Sequence, residues 1–193
     1  MSKIKELTWE HHKNAERQTF VKEMFNKKTQ ISDERYATFL YNQFPMYDVL
    51  EAIAMSHGLL NDIPAIVRSR SILADFKELW PHPEEVTPQI MPVVEEYVNH
   101  IKSIMSDKDK IMAHIYVRHM GDLSGGQMIR KRVPGKGKMF DFKQDMDELK
   151  EILVGEGLIG QPLICPVCNR HHKIGTVKNG FIFDCPATCV FGC

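Results

Sequence analysis

The chain has 193 residues, of which 43% are hydrophobic and 26% are charged, and its 25 basic residues balance its 25 acidic ones. This length suits one main domain with a core and a small appendage. The zero net charge gives no reason to expect binding to nucleic acid or an anionic membrane. No apolar run approaches the roughly 18 residues of a membrane span. The charged start MSKIKELTWEHHK lacks the apolar centre of a secretion signal, so we expect a soluble cytoplasmic protein.

Helical periodicity predicts an all-α body through about residue 154. A first amphipathic helix is expected to begin at Ser2. A second, long helix is expected from Ser32 to about His57, with a kink or local break at Pro45. A short helix should follow over Ser69 to Leu79 and end at the Trp-Pro-His-Pro sequence.

Three further helices and two strand-like segments are predicted after this point. The first of these helices should open at Thr87 and Pro88, as cap and first helical residue, and reach about Met105. The remaining segments are a helix from Ser106 or Asp107 through Val133, a helix from Gln144 to Val154, and strands near Lys173 to Val177 and Gly180 to Phe183.

Three glycines interrupt the predicted helix in the segment 114–132. Gly121, Gly125 and Gly126 each cost about 1 kcal/mol relative to alanine in a helix interior. Glycine lets another backbone or a flat ligand approach a helix closely, and polar neighbours such as Asp122 favour a ligand site over a tight helix crossing. The apolar stripe that predicts the helix consists of Ile111, Ile115, Met120 or His119, Leu123 and Ile129.

The run LSGGQ at residues 123–127 also spells a signature of ABC-type ATPases. That function requires a phosphate loop of the form GxxxxGK[ST], which the chain lacks, and the segment 135–138 does not fit it. The chain also lacks the strands of a P-loop domain, so we reject this interpretation.

Two motifs in the chain resemble those of a known enzyme family. The run AHIYVRHMGDLSGGQMIRK at residues 113–131 resembles the distal-helix signature AHxYxRxxGDLSGGQxxxK of biliverdin-forming heme oxygenases. The segment 5–16 is similar to the family's LKExT…HxxAE motif, and Leu40, Tyr41 and Glu51 fit its intervening helix loosely. The resemblance covers about residues 3–150 and is nearest to the compact enzymes of phototrophs and their phages. It implies a helical bundle that converts heme, dioxygen and reducing equivalents to biliverdin, carbon monoxide and ferrous iron.

Two adjacent histidines are candidates for the proximal iron ligand, because imidazole is a natural neutral ligand of heme iron. His11 and His12 lie on different faces of the predicted helix, so helical spacing alone does not choose between them. The resemblance points to His12, with Glu16 in the same motif, and leaves His11 as a surface or supporting residue.

On the distal side, the resemblance implies that Asp122 supplies a proton through ordered water beside bound dioxygen. The glycines would keep the iron accessible and let backbone atoms choose the meso carbon. Arg118, one turn before Asp122, stands at ion-pair spacing and is expected to fix the water network. Tyr41 and Tyr116 are further candidates for this network, although buried tyrosines often serve only as core.

Basic residues are expected near the two heme propionates. Lys5 matches a propionate contact of the family, and Lys131 matches a basic residue that binds a propionate or docks an electron donor. A basic rim would suit an acidic ferredoxin as electron donor to a monomeric enzyme, and a solvated basic helix end is the alternative. The rim consists of Arg130, Lys131, Arg132, Lys136 and Lys138.

All five cysteines lie at or beyond residue 165, in a tail predicted to begin near residue 155 after a helical domain of residues 1–154. An odd number of cysteines in a reducing compartment favours metal over disulfides. The tail also departs from the family, which continues with further helices here. Two pairs separated by sixteen residues approach a zinc-ribbon pattern, with His171 and His172 as alternative ligands and a free-thiol tail as the other interpretation. The pairs are Cys165 with Cys168 and Cys185 with Cys189.

Three functions therefore compete. The first is heme oxygenase activity, and the second is heme binding without turnover. The third is a zinc-ribbon interaction module on a helical scaffold.

Overall fold

The computed structural model describes residues 13–14, 17–19, 22 and 30–155, with side chains through residue 153, and the backbone of four short strands in the tail. Six helices between residues 33 and 155 confirm the all-α prediction. They are α1 Asp33–Ser56, α2 Ser69–Leu79, α3 Pro92–Ser103, α4 Lys108–Ser124, α5 Gly126–Arg130 and α6 Met146–Gly155. Two 3-10 turns lie at Pro64–Ile66 and Lys138–Phe140. Among the described residues, no helix is long and apolar enough to cross a bilayer.

Polar side chains fix the starts of three helices. The Ser32 hydroxyl accepts the backbone N–H of Arg35 at 3.3 Å and starts α1 at the predicted position. Asp107 caps α4 by accepting the N–H of Lys110 at 3.2 Å, which decides between the two predicted caps. Asp145 accepts two backbone N–H groups at the start of α6. Each such cap stabilises its helix by about 1 kcal/mol.

The long helix α1 runs unbroken through Pro45, where a kink or break was expected. Proline has no N–H, so the carbonyl of Tyr41 loses its usual helical donor at this point. The helix nevertheless continues because its sides are buried against α2, α3 and α4. Tertiary packing of this kind supplies most of the stability of a helix in a protein.

The predicted start of α3 at Thr87 and Pro88 was wrong, since the helix begins at Pro92 with Met91 as its cap. Asn42 on α1 explains the shift. Its amide oxygen accepts the N–H of Met91 at 2.8 Å, and its amide nitrogen donates to the carbonyl of Gln89 at 3.1 Å. These bonds hold the preceding segment extended along α1, so Pro92 takes the first helical position.

Two groups of buried side chains lie along α1. The half toward Ser56 packs with α4 and α6 around Leu50, Ile115 and Leu153. The half toward Asp33 packs with α2 and the 3-10 turn Lys138–Phe140. The polar residues that α1 shares with α4 lie between the two groups, since Leu50 and Ile115 belong to the first and Tyr47 belongs to the second.

The glycine-bearing helix is divided at Gly125, which separates α4 from α5. A Cβ atom on Gly126 would lie 2.6 Å from Cδ1 of the buried Phe140 ring, which is closer than any real contact. Among the described residues, a Cβ on Gly125 would meet only the carbonyl of Gly121, at 3.7 Å. Internal packing therefore requires glycine at position 126 and not at position 125.

The tail contains two antiparallel pairs of strands. The pair formed by residues 175–177 and 180–182 lies within the predicted strand-like segments, whereas the pair formed by residues 162–164 and 171–173 was not predicted apart from Lys173. Strand β1 (Pro162–Ile164) pairs with β2 (His171–Lys173), and β3 (Gly175–Val177) pairs with β4 (Gly180–Ile182). The division into a helical domain 1–154 and a tail 155–193 stays a prediction.

Replacing Gly126 with alanine should lower the free energy of unfolding by about 1–3 kcal/mol, because the new methyl group overlaps the Phe140 ring. Gly125→Ala is the matched control and should change stability little or raise it, since a helical alanine fits there. Urea unfolding of the hemin-free proteins, followed by circular dichroism, measures both. Equal losses in the two variants would contradict the assigned packing.

Candidate functional site

Helices α1 and α4 bring a set of polar side chains together in the interior. Gln43, Tyr47 and Glu51 follow one another at intervals of four residues on α1, so they share one face of that helix. Arg118, His119 and Asp122 face them from α4. All six residues are buried, which requires that their polar atoms find partners inside the protein.

Asp122 holds the central carboxyl group of this set. Tyr47 donates its hydroxyl hydrogen to Oδ2 of Asp122 at 2.9 Å. Burial raises the pKa of Asp122 to about 6, against the usual 3.8. The electrostatic interaction with His119 and the hydrogen bond from Tyr47 oppose this rise and offset it only in part. A carboxyl group with such a pKa can hold or release a proton near neutral pH.

Arg118 lies beside Asp122 but forms no ion pair with it among the described residues, although the i, i+4 spacing suggested one. Its guanidinium instead donates to the hydroxyl of Tyr97 at 3.0 Å and to the amide oxygen of Gln43 at 3.3 Å. The group also lies over the rings of Tyr47 and Tyr97, at 5.1 and 4.3 Å from their centroids. Arg118 is therefore fixed in place and acts on Asp122 through its charge and through Tyr47.

Glu51 connects this set to the start of α2. Its Oε1 atom accepts the N–H of Arg68 at 2.6 Å, and its Oε2 atom accepts the N–H of Ser69 at 3.0 Å. The cap residue of α2, Arg68, has no side-chain cap bond of its own, so Glu51 supplies the anionic cap from another helix. Nε2 of His119 lies 2.9 Å from Oε1 of the same carboxyl group.

The three glycines of the segment differ in their surroundings. Gly126 is buried against Phe140, which accounts for it by packing alone. Gly121 is half-buried and Gly125 is exposed, one helical turn apart on the same face. These two positions, on either side of Asp122 in the sequence, carry no side chain, which is the condition for a flat ligand to approach the α4 backbone closely.

The two tyrosines predicted for the proton network lie elsewhere. The ring of Tyr41 packs on Phe76, with centroids 5.0 Å apart, at the edge of the buried group that also contains Tyr47. Tyr116 is buried in the core beside α6, and burial raises the pKa of its hydroxyl. The tyrosine that reaches Asp122 is Tyr47.

The predicted basic rim is partly neutralised by acidic neighbours. Arg130 pairs with Asp141 at 2.9 Å, while Lys136 and Lys138 lie 3.8 and 3.5 Å from Glu78. Lys131 is exposed at the end of α5 and forms no ion pair among the described residues.

Several predicted site residues lie outside the described residues. The cysteines of the tail are among them, and among the residues that are described no group of three or more His, Cys, Asp or Glu is placed to hold a metal ion. The predicted residues concerned are Lys5, His12, Glu16, Cys165, Cys168, Cys185 and Cys189.

Comparison with known proteins identifies the family of this chain. The family model described as heme oxygenase matches residues 1–155. The chain belongs to the heme oxygenase family. Heme oxygenase 1 of the rat is 28% identical over 66% of this chain and 46% of its own length, and the heme oxygenase of Guillardia theta is 30% identical over 66% and 56%. The chain thus spans about half the length of these relatives.

Solved structures of the heme oxygenase family share the fold. Heme oxygenase from Leptospira interrogans matches with a TM-score of 0.66 and 27% identity, over 79% of this chain and 82% of that one. Heme oxygenase-1 of the cyanobacterium Synechocystis, solved in complex with heme, matches with a TM-score of 0.67 and 21% identity, over 79% and 75%. The second likeness shows the fold alone.

Sequence reasoning found Asp122 and Arg118 but missed Tyr47, Glu51 as a buried partner, and His119. A usable signal was present in α1, where polar residues recur every four positions along a face that is otherwise buried. On α4, the choice between His119 and Met120 for the apolar stripe was open. His119 is fully buried and Met120 only partly so.

Asp122→Asn should stabilise the hemin-free protein at pH 7 by about 1–3 kcal/mol, with the gain fading as the pH falls to about 4. The folded pKa of about 6 exceeds the usual 3.8, so ionisation of Asp122 disfavours the folded state as pH rises through this window. Asparagine can still accept from Tyr47 and carries no charge. Urea unfolding of both proteins from pH 4 to 8 tests this, and a stability difference that does not change with pH would contradict it.

Proposed function

We propose that this protein is a heme oxygenase enzyme that opens heme to biliverdin, carbon monoxide and ferrous iron, with dioxygen and external electrons. The observation that carries the proposal is Asp122, a buried acid with a pKa of about 6 held by Tyr47 beside the glycines of α4. Membership of the family supports the same activity.

Heme would supply both the iron at which dioxygen is activated and the porphyrin that is opened. Gly121 and Gly125 carry no side chain, and a flat ring is proposed to lie against the α4 backbone at these positions. Asp122, which lies between these glycines in the sequence, would give up a proton through ordered water and take it back from solvent. Tyr47 fixes the carboxyl group, and Arg118 fixes Tyr47, so the proton is held at a defined place.

The opposite side of the heme is assigned from the family motif in the segment 5–16. We propose His12 as the ligand of the iron, with Glu16 and Lys5 in the same segment, Lys5 binding a propionate. Lys131 is proposed to bind the other propionate or to meet the electron donor, since its charge is not paired among the described residues. Gly126 and Tyr116 are buried, so we propose that they support the wall of the pocket from the core and do not touch heme.

The electron donor is proposed to be an acidic ferredoxin that docks on a monomeric enzyme. The exposed charge of Lys131 supports this. The ion pairs of Arg130, Lys136 and Lys138 with acidic neighbours reduce the charge of the rim that such a donor would meet. A salt dependence of electron transfer that disappears in Lys131→Gln would support the assignment.

The cysteine-rich tail carries a second proposed function, zinc binding. The spacing of Cys165 with Cys168 and of Cys185 with Cys189 supports it, as do two short hairpins of the kind that zinc ribbons use. Metal analysis of the full chain tests it, and less than one zinc per chain would argue against it.

Asp122→Ala should abolish biliverdin formation while hemin still binds, because the variant loses the group that delivers the proton. The measurement adds hemin, then ferredoxin, its reductase and NADPH, and follows the Soret band and the biliverdin absorption. Asp109→Ala, an exposed aspartate near the start of the same helix, is the matched control and should form biliverdin normally.

Normal biliverdin yield in Asp122→Ala would remove Asp122 from the reaction. A wild-type Soret band that persists through reduction in air would show heme binding without turnover. The absence of a Soret band in the wild type would contradict both heme functions.

His12→Ala should lose turnover and change the Soret spectrum, whereas the adjacent His11→Ala should leave both unchanged. The reason is that neighbouring residues of the predicted helix point in different directions, so only one of the two can be directed at the iron. Absorption spectra and biliverdin assays of the two variants measure this. The opposite result, with His11 essential, would transfer the ligand role to that residue.

A further inference from the structure

His119 is a fully buried histidine whose two ring nitrogens both face hydrogen-bond acceptors. Nδ1 lies 2.9 Å from the backbone carbonyl oxygen of Ile115, and Nε2 lies 2.9 Å from Oε1 of Glu51. A carbonyl oxygen can only accept, so Nδ1 carries a hydrogen. A neutral ring then presents a lone pair at Nε2, directly toward a carboxyl oxygen.

Besides the hydrogen on Nδ1, the contact between Nε2 of His119 and Glu51 requires a second proton, shared by these two side chains. If Glu51 were ionised and His119 neutral, two lone pairs would face each other at 2.9 Å in a buried site, which is unfavourable. The proton therefore lies either on Nε2, giving an imidazolium and a carboxylate, or on the carboxyl oxygen.

The backbone around Glu51 decides between these two states. Both of its oxygens accept N–H groups, from Arg68 at 2.6 Å and from Ser69 at 3.0 Å, at the positive end of the α2 helix dipole. Burial raises the pKa of Glu51, but the bonds from His119, Arg68 and Ser69 outweigh it and the net shift is downward. These contacts favour the carboxylate, and the proton then belongs to His119.

The charge on His119 lies in contact with the Asp122 network. Its ring meets the ring of Tyr47 edge to face, with centroids 5.5 Å apart, and the Tyr47 hydroxyl donates to Asp122. The titratable and charged groups that surround it are Tyr47 and Glu51 on α1, Arg68 before α2, and Arg118 and Asp122 on α4.

We propose that His119 is a positioning residue that Glu51 keeps permanently protonated, and that its buried positive charge holds Asp122 in the ionised form that can take up and pass on a proton. The proposal deepens the proposed heme oxygenase function, on which its catalytic consequence rests. The charge state of His119 itself is a property of the protein without hemin.

The charge state can be read by NMR of the full chain labelled with 15N-histidine and free of hemin. We expect both ring nitrogens of His119 to carry hydrogens from pH 6 to 8.5. In Glu51→Gln, the ring should lose the hydrogen at Nε2 at the upper end of this range. A wild-type ring that is neutral at pH 7.5 would overturn the proposal.

The consequence for Asp122 can be read from the pH profile of biliverdin formation in hemin-loaded protein. His119→Gln keeps a donor toward Glu51 but has no charge. We expect the acidic limb of its profile to move up by ~1 pH unit, which lowers turnover by up to ~10-fold at pH 6 and little at pH 8.5. His82→Gln, at an exposed His–Glu contact with Glu34, is the matched control and should keep the wild-type profile.

A loss of activity in His119→Gln that is the same at every pH would show a purely structural role and overturn the catalytic part of the proposal. If wild-type protein forms no biliverdin, the proposed function fails. The NMR result still decides whether His119 and Glu51 form the buried ion pair.

Discussion

The burial of the Asp122 carboxyl group between α1 and α4 is the constraint to which the surrounding residues are fitted. A charge placed in the interior without partners is strongly unfavourable. Tyr47 supplies a hydrogen bond at 2.9 Å, Arg118 supplies positive charge, and the interaction with His119 also lowers the pKa of Asp122. The compensation is incomplete, so the carboxyl group keeps a pKa of about 6 and can exchange a proton at neutral pH. Ionised Asp122 therefore lowers the free energy of unfolding, and the same burial leaves a carboxyl group that can exchange a proton.

The same set of residues ties the site to the fold. Glu51 accepts the first backbone N–H groups of α2 and at the same time faces His119 on α4. Removing Glu51 would leave the start of α2 and the buried imidazole without their partner. The position of α2 and the electrostatics around Asp122 therefore depend on one carboxylate. Arg118 also connects the site to the fold, since it donates hydrogen bonds to Gln43 on α1 and to Tyr97 on α3.

Local signals in the sequence predicted most of the helices, and long-range contacts account for the misses. Ser32 predicted the start of α1 because its cap bond is local, and the bounds of α2 were correct. The start of α3 was misplaced because Asn42, about fifty residues earlier, holds the segment before Pro92 extended. No local rule contains that contact.

The residues of the candidate site divide in the same way, into those that local signals predicted and those that long-range contacts determine. The glycine segment and Asp122 were evident because glycines in a helix conflict with helix propensity. Gly126, however, owes its place to Phe140 in a later turn, and that contact could not be read from the segment itself. Tyr47 was passed over for Tyr41, because only the packing of α1 on α4 selects which of two tyrosines six residues apart reaches the acid.

The most direct measurement is a titration of the Asp122 carboxyl carbon by 13C NMR in hemin-free protein, assigned by comparison with Asp122→Asn. We expect its midpoint near pH 6, well above the usual aspartate value of 3.8. A midpoint near 4, like that of an ordinary aspartate, would contradict a buried, partly compensated acid and with it the proposed proton delivery.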